Sequence, residues 1–219
     1  EGSPRLLRPY GYYGGVLGVV LGCLAARLAL GTDAWLLLGA YAVAGPWIQA
    51  AGRVRCLVQG CCHGAPAPES VGIRYVHPRS RVCRLSSLAG IPVHPTPLYS
   101  IVWNAVPALL CARLWGARSP LSVIAGAYLI LTGLGRFVEE SRRGEPQTPV
   151  FARLRLYQWI AAGTVAAGAV FTCLPGTAPA PAPEPSPAAL GAAAVFAAAT
   201  WFALGVDFPR SNRRFARLV

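Results

Sequence analysis

Arg136 lies in a stretch that should be lipid-like throughout: residues 120–138 read PLSVIAGAYLILTGLGRFV. A guanidinium at membrane depth costs roughly 2.5–3.5 kcal/mol even on a lenient insertion scale, so such a residue is kept for a ligand or a partner. Arg53 ends a second apolar stretch, YAVAGPWIQAAGRVRC. Two arginines meeting near a lipid interface make an anion site, and the commonest anion there is a lipid phosphate. Glu139 follows Arg136 by three residues and shares its helix face. The pair is either a packing lock or a carboxylate that orients Arg136 while Arg136 binds the anion.

Three other clusters carry reactive side chains. GRVRCLVQGCCHG, residues 52–64, holds Cys56, Cys61, Cys62 and His63. Zinc sites usually pair cysteines as C-x2-4-C. Here the spacing is C-x4-C-C-H with no clean second pair, so no metal and no cofactor is assigned. A minor reading as a thiol or metal protein stays open. The rest of the cluster is a glycine-flanked turn at a helix end. HPTPLY, residues 94–99, puts His94 just before a helix start, where it either contacts a ligand or stitches a loop. YGYYGGVLG, residues 10–18, offers Tyr12 and Tyr13 as interfacial anchors or polar helpers.

The elements that position these residues are membrane helices. The 219 residues are 54% hydrophobic and 13% charged, with mean hydropathy +0.46; a soluble domain carries about 25% charge. Runs near the spanning length of about 20 residues recur at 12–30, 34–51, 97–115, 120–138, 155–174 and 188–206. The expectation is an all-α, polytopic integral membrane protein of about six transmembrane helices. Gly31 ends the first span and Asp33 caps the second. Thr96-Pro97, Ser119-Pro120 and Ser186-Pro187 read as N-cap then N1. Gly14, Gly18 and Gly22 form a small-residue stripe suited to close helix approach. Segment 52–96, the longest without a clear span, is expected to hold re-entrant or interfacial structure. Residues 175–187 form a Pro/Ala-rich linker, and 188–219 an appended helix with a basic tail. The chain opens on Glu1, and an upstream segment is expected.

Twenty arginines stand against eight acids with no lysine, for a net charge of +12. They cluster between apolar spans, which points to lipid headgroups rather than nucleic acid. One side of the membrane collects the N-terminus, loops 52–96 and 139–154 and the C-terminal tail. Positive-inside counting makes that side cytoplasmic.

Taken in order, YYGGVLG, GRVRCLVQGCCHG, HPTPLY and GRFVEESRR resemble the prolipoprotein diacylglyceryl transferase family over roughly residues 8–174. The resemblance implies a multi-pass enzyme of the bacterial inner membrane. Such enzymes move diacylglyceryl from phosphatidylglycerol to the lipobox cysteine thiol of a prolipoprotein, with glycerol phosphate leaving. It implies that Arg53 and Arg136 hold the phosphate and that Glu139 orients Arg136. It implies that Tyr13 and His94 lie near the donor lipid, and that Gly60, Gly64 and Tyr99 belong to the substrate site. It also turns the arginine-rich face outward, against the positive-inside count, and this orientation is preferred. Tyr13 stands where the family has histidine, Cys56 where it has asparagine, Cys61 where an acid usually follows, and Ser100 where it has glutamate. The family's N-terminal helices and soluble head have no counterpart in the sequence. Those departures support a second reading, a non-catalytic lipid-binding subunit of a membrane complex.

Overall fold

The structure, a computed structural model, describes residues 12–204 other than 79, 145–148, 175–176, 183 and 185; the side chains of Tyr12, Tyr13, Leu85 and residues 200–204 are also outside the description. Among the described residues seven helices run in order: α1 (Tyr12–Leu30), α2 (Ala34–Gln59), α3 (Arg81–Leu85), α4 (Thr96–Gly116), α5 (Leu121–Ser141), α6 (Leu156–Cys173) and α7 (Pro187–Leu204). Two antiparallel two-residue ladders complete it, β1 (Ile73–Arg74) with β2 (Pro92–Val93) and β3 (Val150–Phe151) with β4 (Leu154–Arg155). The protein is all-α and polytopic. Among the described residues α2, α4, α5 and α6 are long and apolar enough to cross a membrane. Gly14–Leu30 and Pro187–Ala199 are shorter apolar helices at the first and sixth expected positions. The count of six spans is therefore approximate.

Gly31 takes φ 66 after α1, and the Asp33 carboxylate accepts from the Trp35 N–H at 3.0 Å, as their residue types require. The hydroxyl-proline pairs behave less uniformly. Ser186 accepts from the Ala189 N–H at 3.4 Å. Thr96 is instead the first residue of α4 and donates its hydroxyl to the Cys62 carbonyl. The start of α5 has no side-chain cap of its own. The linker supplies it: the Ala178 carbonyl accepts from the Leu121 N–H at 3.1 Å and the Thr177 hydroxyl from the Ser122 N–H at 3.3 Å. Ala180, fully buried, joins the core cluster of Ala42, Cys111, Leu121, Ile124 and Tyr128. The first part of the Pro/Ala segment is thus docked on the bundle, not a free spacer.

α5 packs on α2, α4 and α6 and is the most buried of the four long helices. Its contact with α6 depends on missing side chains. A Cβ on Gly126 would lie 2.6 Å from the Gly168 carbonyl oxygen, and one on Gly168 2.7 Å from that of Gly126. Backbone cannot yield as a side chain can. Gly168→Val is expected to push the helices apart at a cost of roughly 1–3 kcal/mol, read as a lowered unfolding temperature in detergent. An unchanged unfolding temperature would contradict this contact. Away from the core, Leu28, Ile48, Val102, Leu109, Val138 and Val170 are exposed, the outward apolar face that lipid requires.

Candidate functional site

The last turns of α5 bring the charged residues together. Arg136 is buried, and both arms of its fork are used. Nη1 donates to Glu139 Oε1 at 2.9 Å and Nη2 to Glu140 Oε2 at 3.1 Å. Arg53, on the last turns of α2, donates Nη2 to the same Glu139 Oε1 at 3.0 Å. The two arginines singled out by sequence do meet, and Glu139 is the bridge between them. Glu140, with no exposure at all, adds Arg143 at 3.4 Å and Arg155 at 3.9 Å. The Arg136 guanidinium also stands 5.6 Å from the Tyr157 ring centroid, within cation–π range.

Glu140, Arg143 and Arg155 were not read from sequence. For the first two a signal existed: residues 136, 140 and 143 recur at helical spacing in RFVEESRR. Arg155 had none. It sits in β4 just before α6, its backbone N–H held by Gln158 Oε1 at 3.0 Å and its Nη2 donating to the Arg143 carbonyl at 3.1 Å.

A cavity of about 210 Å³ opens beside this network. Arg136, Glu139 and Arg142 form its charged end, Asn104, Ser100 and Thr132 its polar wall, and Trp103, Leu134 and Val138 its apolar side. Trp103 fits because Gly135 lacks a Cβ; one there would meet the indole nitrogen at 2.1 Å. Tyr99 lines the cavity, and its hydroxyl lies 3.0 Å from His94 Nδ1. Arg53 and His94 stand behind this lining, one joined through Glu139 and the other through Tyr99. Tyr13 is in the first turn of α1, and its side chain is outside the described residues.

The loop after α2 is sewn to the end of α5. Gly64 N–H donates to the His94 carbonyl at 2.8 Å, Ala65 N–H to the Arg142 carbonyl at 3.0 Å and Gly144 N–H to the His63 carbonyl at 3.3 Å. Gly60 takes φ 67 as the C-cap of α2, with the Tyr75 ring and Val82 against it. A Cβ on Gly64 would fall 2.4 Å from the His94 Cβ and 2.8 Å from the Arg142 oxygen. Neither glycine lines the cavity. Gly64→Ala is expected to cost roughly 1–3 kcal/mol and to move His94 away from Tyr99. A loss of thermal stability together with weakened lipid retention would report it, and a silent substitution would refute it.

The same turn gathers Cys56, Cys61 and Cys62, whose sulfurs all lie within 4.8 Å of one another. Hydrogen bonds from the Cys56 and Cys61 thiols, aided by Arg143 and Arg53, hold the Cys62 thiol well below the usual range. Cys61, as a donor in that set, is pushed up. His63 is not part of the cluster; its Nδ1 is 2.9 Å from the Gly64 carbonyl oxygen.

An arginine-rich network at the end of a membrane helix, beside a half-apolar cavity, is suited to hold an anionic group. Comparison with known proteins agrees on the family. The family model for prolipoprotein diacylglyceryl transferase matches residues 10–174. The chain belongs to the prolipoprotein diacylglyceryl transferase family. Among curated relatives it is similar to the phosphatidylglycerol–prolipoprotein diacylglyceryl transferase 2 of Clostridium perfringens. Identity there is 29% over 137 residues, covering 63% of this chain and 50% of that protein. The corresponding transferase of Clostridium tetani is 26% identical over 175 residues, 76% of this chain and 66% of the relative. That of Symbiobacterium thermophilum is 33% identical over 120 residues, 53% of this chain and 42% of the relative. The chain thus spans 42–66% of the length of these relatives. Arg53, His94, Tyr99, Arg136 and Glu139 all fall inside the matched residues. The docked linker residues 177–180 and α7 lie beyond them.

Proposed function

We propose that this chain is a phospholipid-dependent membrane transferase that moves diacylglyceryl from phosphatidylglycerol to the lipobox cysteine thiol of a prolipoprotein. One observation carries the reading. Four guanidiniums, of Arg53, Arg136, Arg143 and Arg155, surround two carboxylates, Glu139 and Glu140, so two positive charges stand in excess. A phosphodiester brings one negative charge, and the glycerol phosphate that leaves carries nearly two at neutral pH. The cluster is therefore better matched to the departing group than to the bound lipid. Such differential stabilisation is what accelerates a reaction.

In this reading Arg136 and Arg53 hold the phosphate, and Glu139 keeps the two forks at fixed separation. The apolar side of the cavity takes the start of the glycerolipid. Tyr99, backed by His94, contacts the headgroup, Tyr13 is a polar helper near the donor, and Gly60 and Gly64 shape the turn that closes the substrate site. Residues 1–174 form the transferase core, 175–187 the linker, and 188–219 an added helix and tail, in a bacterial inner membrane. The test is transfer of radiolabelled diacylglyceryl from phosphatidylglycerol to a lipobox peptide, with an Arg53→Ala/Arg136→Ala protein as control. Arginine-dependent labelling supports the reading.

The second reading, a non-catalytic lipid-binding subunit working with other membrane subunits, draws on Ser100, which lines the cavity where the family pattern carries a glutamate. Absence of labelling with phosphatidylglycerol still co-purifying would favour it.

A further inference from the structure

The thiol cluster at the end of α2 is the part of the molecule that the phosphate site does not use. Sequence left a thiol or metal reading of it open, although its cysteines do not pair as C-x2-4-C. The fold brings them together by another route. Cys56 is on the last turn of α2, and two left-handed residues, Gly60 at φ 67 and Cys62 at φ 58, turn the chain back on the helix end. The result is three sulfurs within 4.8 Å of one another. Thiolates at about 2.3 Å from a tetrahedral zinc lie about 3.8 Å apart, so small side-chain rotations suffice. Three protein ligands with one position open is the arrangement of a catalytic zinc, whereas structural sites are closed by four. Three thiolates and a divalent ion leave one negative charge. Arg53, one turn before Cys56 on α2, lies close enough for its charge to be felt at Cys56 and Cys62. The Cys62 carbonyl also accepts from Thr96 at the start of α4, the helix that carries the cavity residue Tyr99.

We propose that Cys56, Cys61 and Cys62 bind one zinc ion through three thiolates and leave a fourth position for the acceptor cysteine of the substrate peptide. This rests on the transferase reading for its role, not for its existence. A thiol must lose its proton before it attacks, and Tyr13, in place of the family's histidine, is a poor base at neutral pH. Coordination supplies what the base would: the acceptor thiol gives its proton to solvent on binding the metal. Its sulfur pair then attacks the glyceryl carbon of phosphatidylglycerol. The C–S bond forms, the C–O bond to phosphate breaks, and the electron pair leaves on the glycerol phosphate oxygen beside Arg136. No oxidant or further reactant is needed.

The experiment uses the full chain purified in detergent under reducing conditions, with zinc added and excess removed. Metal analysis is expected to give about one zinc per chain, for three thiolates and one open position. Cys173→Ser should keep it. Cys56→Ser, Cys61→Ser and Cys62→Ser should each weaken retention against a chelator by at least the 10–100-fold known for outer-shell losses. Because a variant could misfold, the wild-type chain carries a second readout. Cobalt in place of zinc should show thiolate-to-metal charge-transfer absorption, and a lipobox peptide with cysteine, but not serine, should perturb the cobalt spectrum. No stoichiometric zinc, copper alone, or a disulfide among the three sulfurs would overturn the site. Peptide labelling at full rate by metal-free protein would overturn the role and leave the transferase reading intact. Stoichiometric zinc with no labelling would keep the site and overturn the transferase reading.

Discussion

On the transferase reading proposed above, replacing Arg136 by alanine is expected to abolish diacylglyceryl transfer. Loss of one preorganised donor to a developing anion costs about 10²–10³ in turnover. Here the donor also sets the position of Glu139, and through it Arg53, so the lower figure is a minimum. Alanine at this site does more than remove a catalytic group, however. Arg136 is buried and bonds two carboxylates at 2.9 and 3.1 Å, so its loss also lowers the unfolding temperature. Arg136→Lys separates the two effects. The ammonium keeps the charge that Glu140 needs, but a point charge cannot reproduce two fixed N–H directions. The lysine protein is expected to fold, to co-purify phosphatidylglycerol, and still to lose most of its turnover, with the fall in kcat rather than a rise in KM. Wild-type turnover by folded Arg136→Ala would sink the phosphate-clamp role.

The helices were legible because their cause is local. A run of about 20 apolar residues with hydroxyl, proline and glycine punctuation determines a span whatever surrounds it, and the long helices start where those runs do, although α2 continues past its run at 34–51 to Gln59, into the segment expected to hold no span. Arg136 and Arg53 were legible for the opposite reason: each violates its apolar context, and a violation that persists signals use. What was not legible depends on distant contacts. Thr96 has the composition of a cap, yet its hydroxyl goes to Cys62, 34 residues away. Ala178 and Thr177 sit in a segment that composition marks as a spacer, and only the uncapped start of α5 explains their docking. Glu140 lay within a charged run where spacing to Arg136 and Arg143 pointed to one face, but nothing local distinguished a buried carboxylate from a solvated one. The meeting of Cys56 with Cys61 and Cys62 follows from two left-handed residues, one of them not glycine, which no propensity anticipates.

Removing Glu140 is expected to destabilise the protein more than any other single charge change. Its carboxylate has no exposure and faces Arg136, Arg143 and Arg155. Deleting it leaves three guanidiniums with less compensation in a low-dielectric site, a situation that costs about 3–5 kcal/mol. Arg155→Ala is the contrasting change. Its ion pair is long, at 3.9 Å, and its side chain is 26% exposed, so solvent screening holds its electrostatic effect within about 1 kcal/mol. Glu140→Gln should fall between Glu140→Ala and wild type, keeping shape but not charge. The charge count adds a sharper expectation. Without Glu140 the cluster has three positive charges in excess instead of two, so an anionic lipid should stabilise the variant more than it stabilises wild type. Thermal unfolding in detergent with and without phosphatidylglycerol measures this, since a ligand that binds only the folded state raises its stability. A larger shift for Glu140→Gln than for wild type would show that lipid phosphate and the Glu140 carboxylate neutralise the same arginines. Equal shifts would place the bound headgroup elsewhere and separate the buried network from the substrate site.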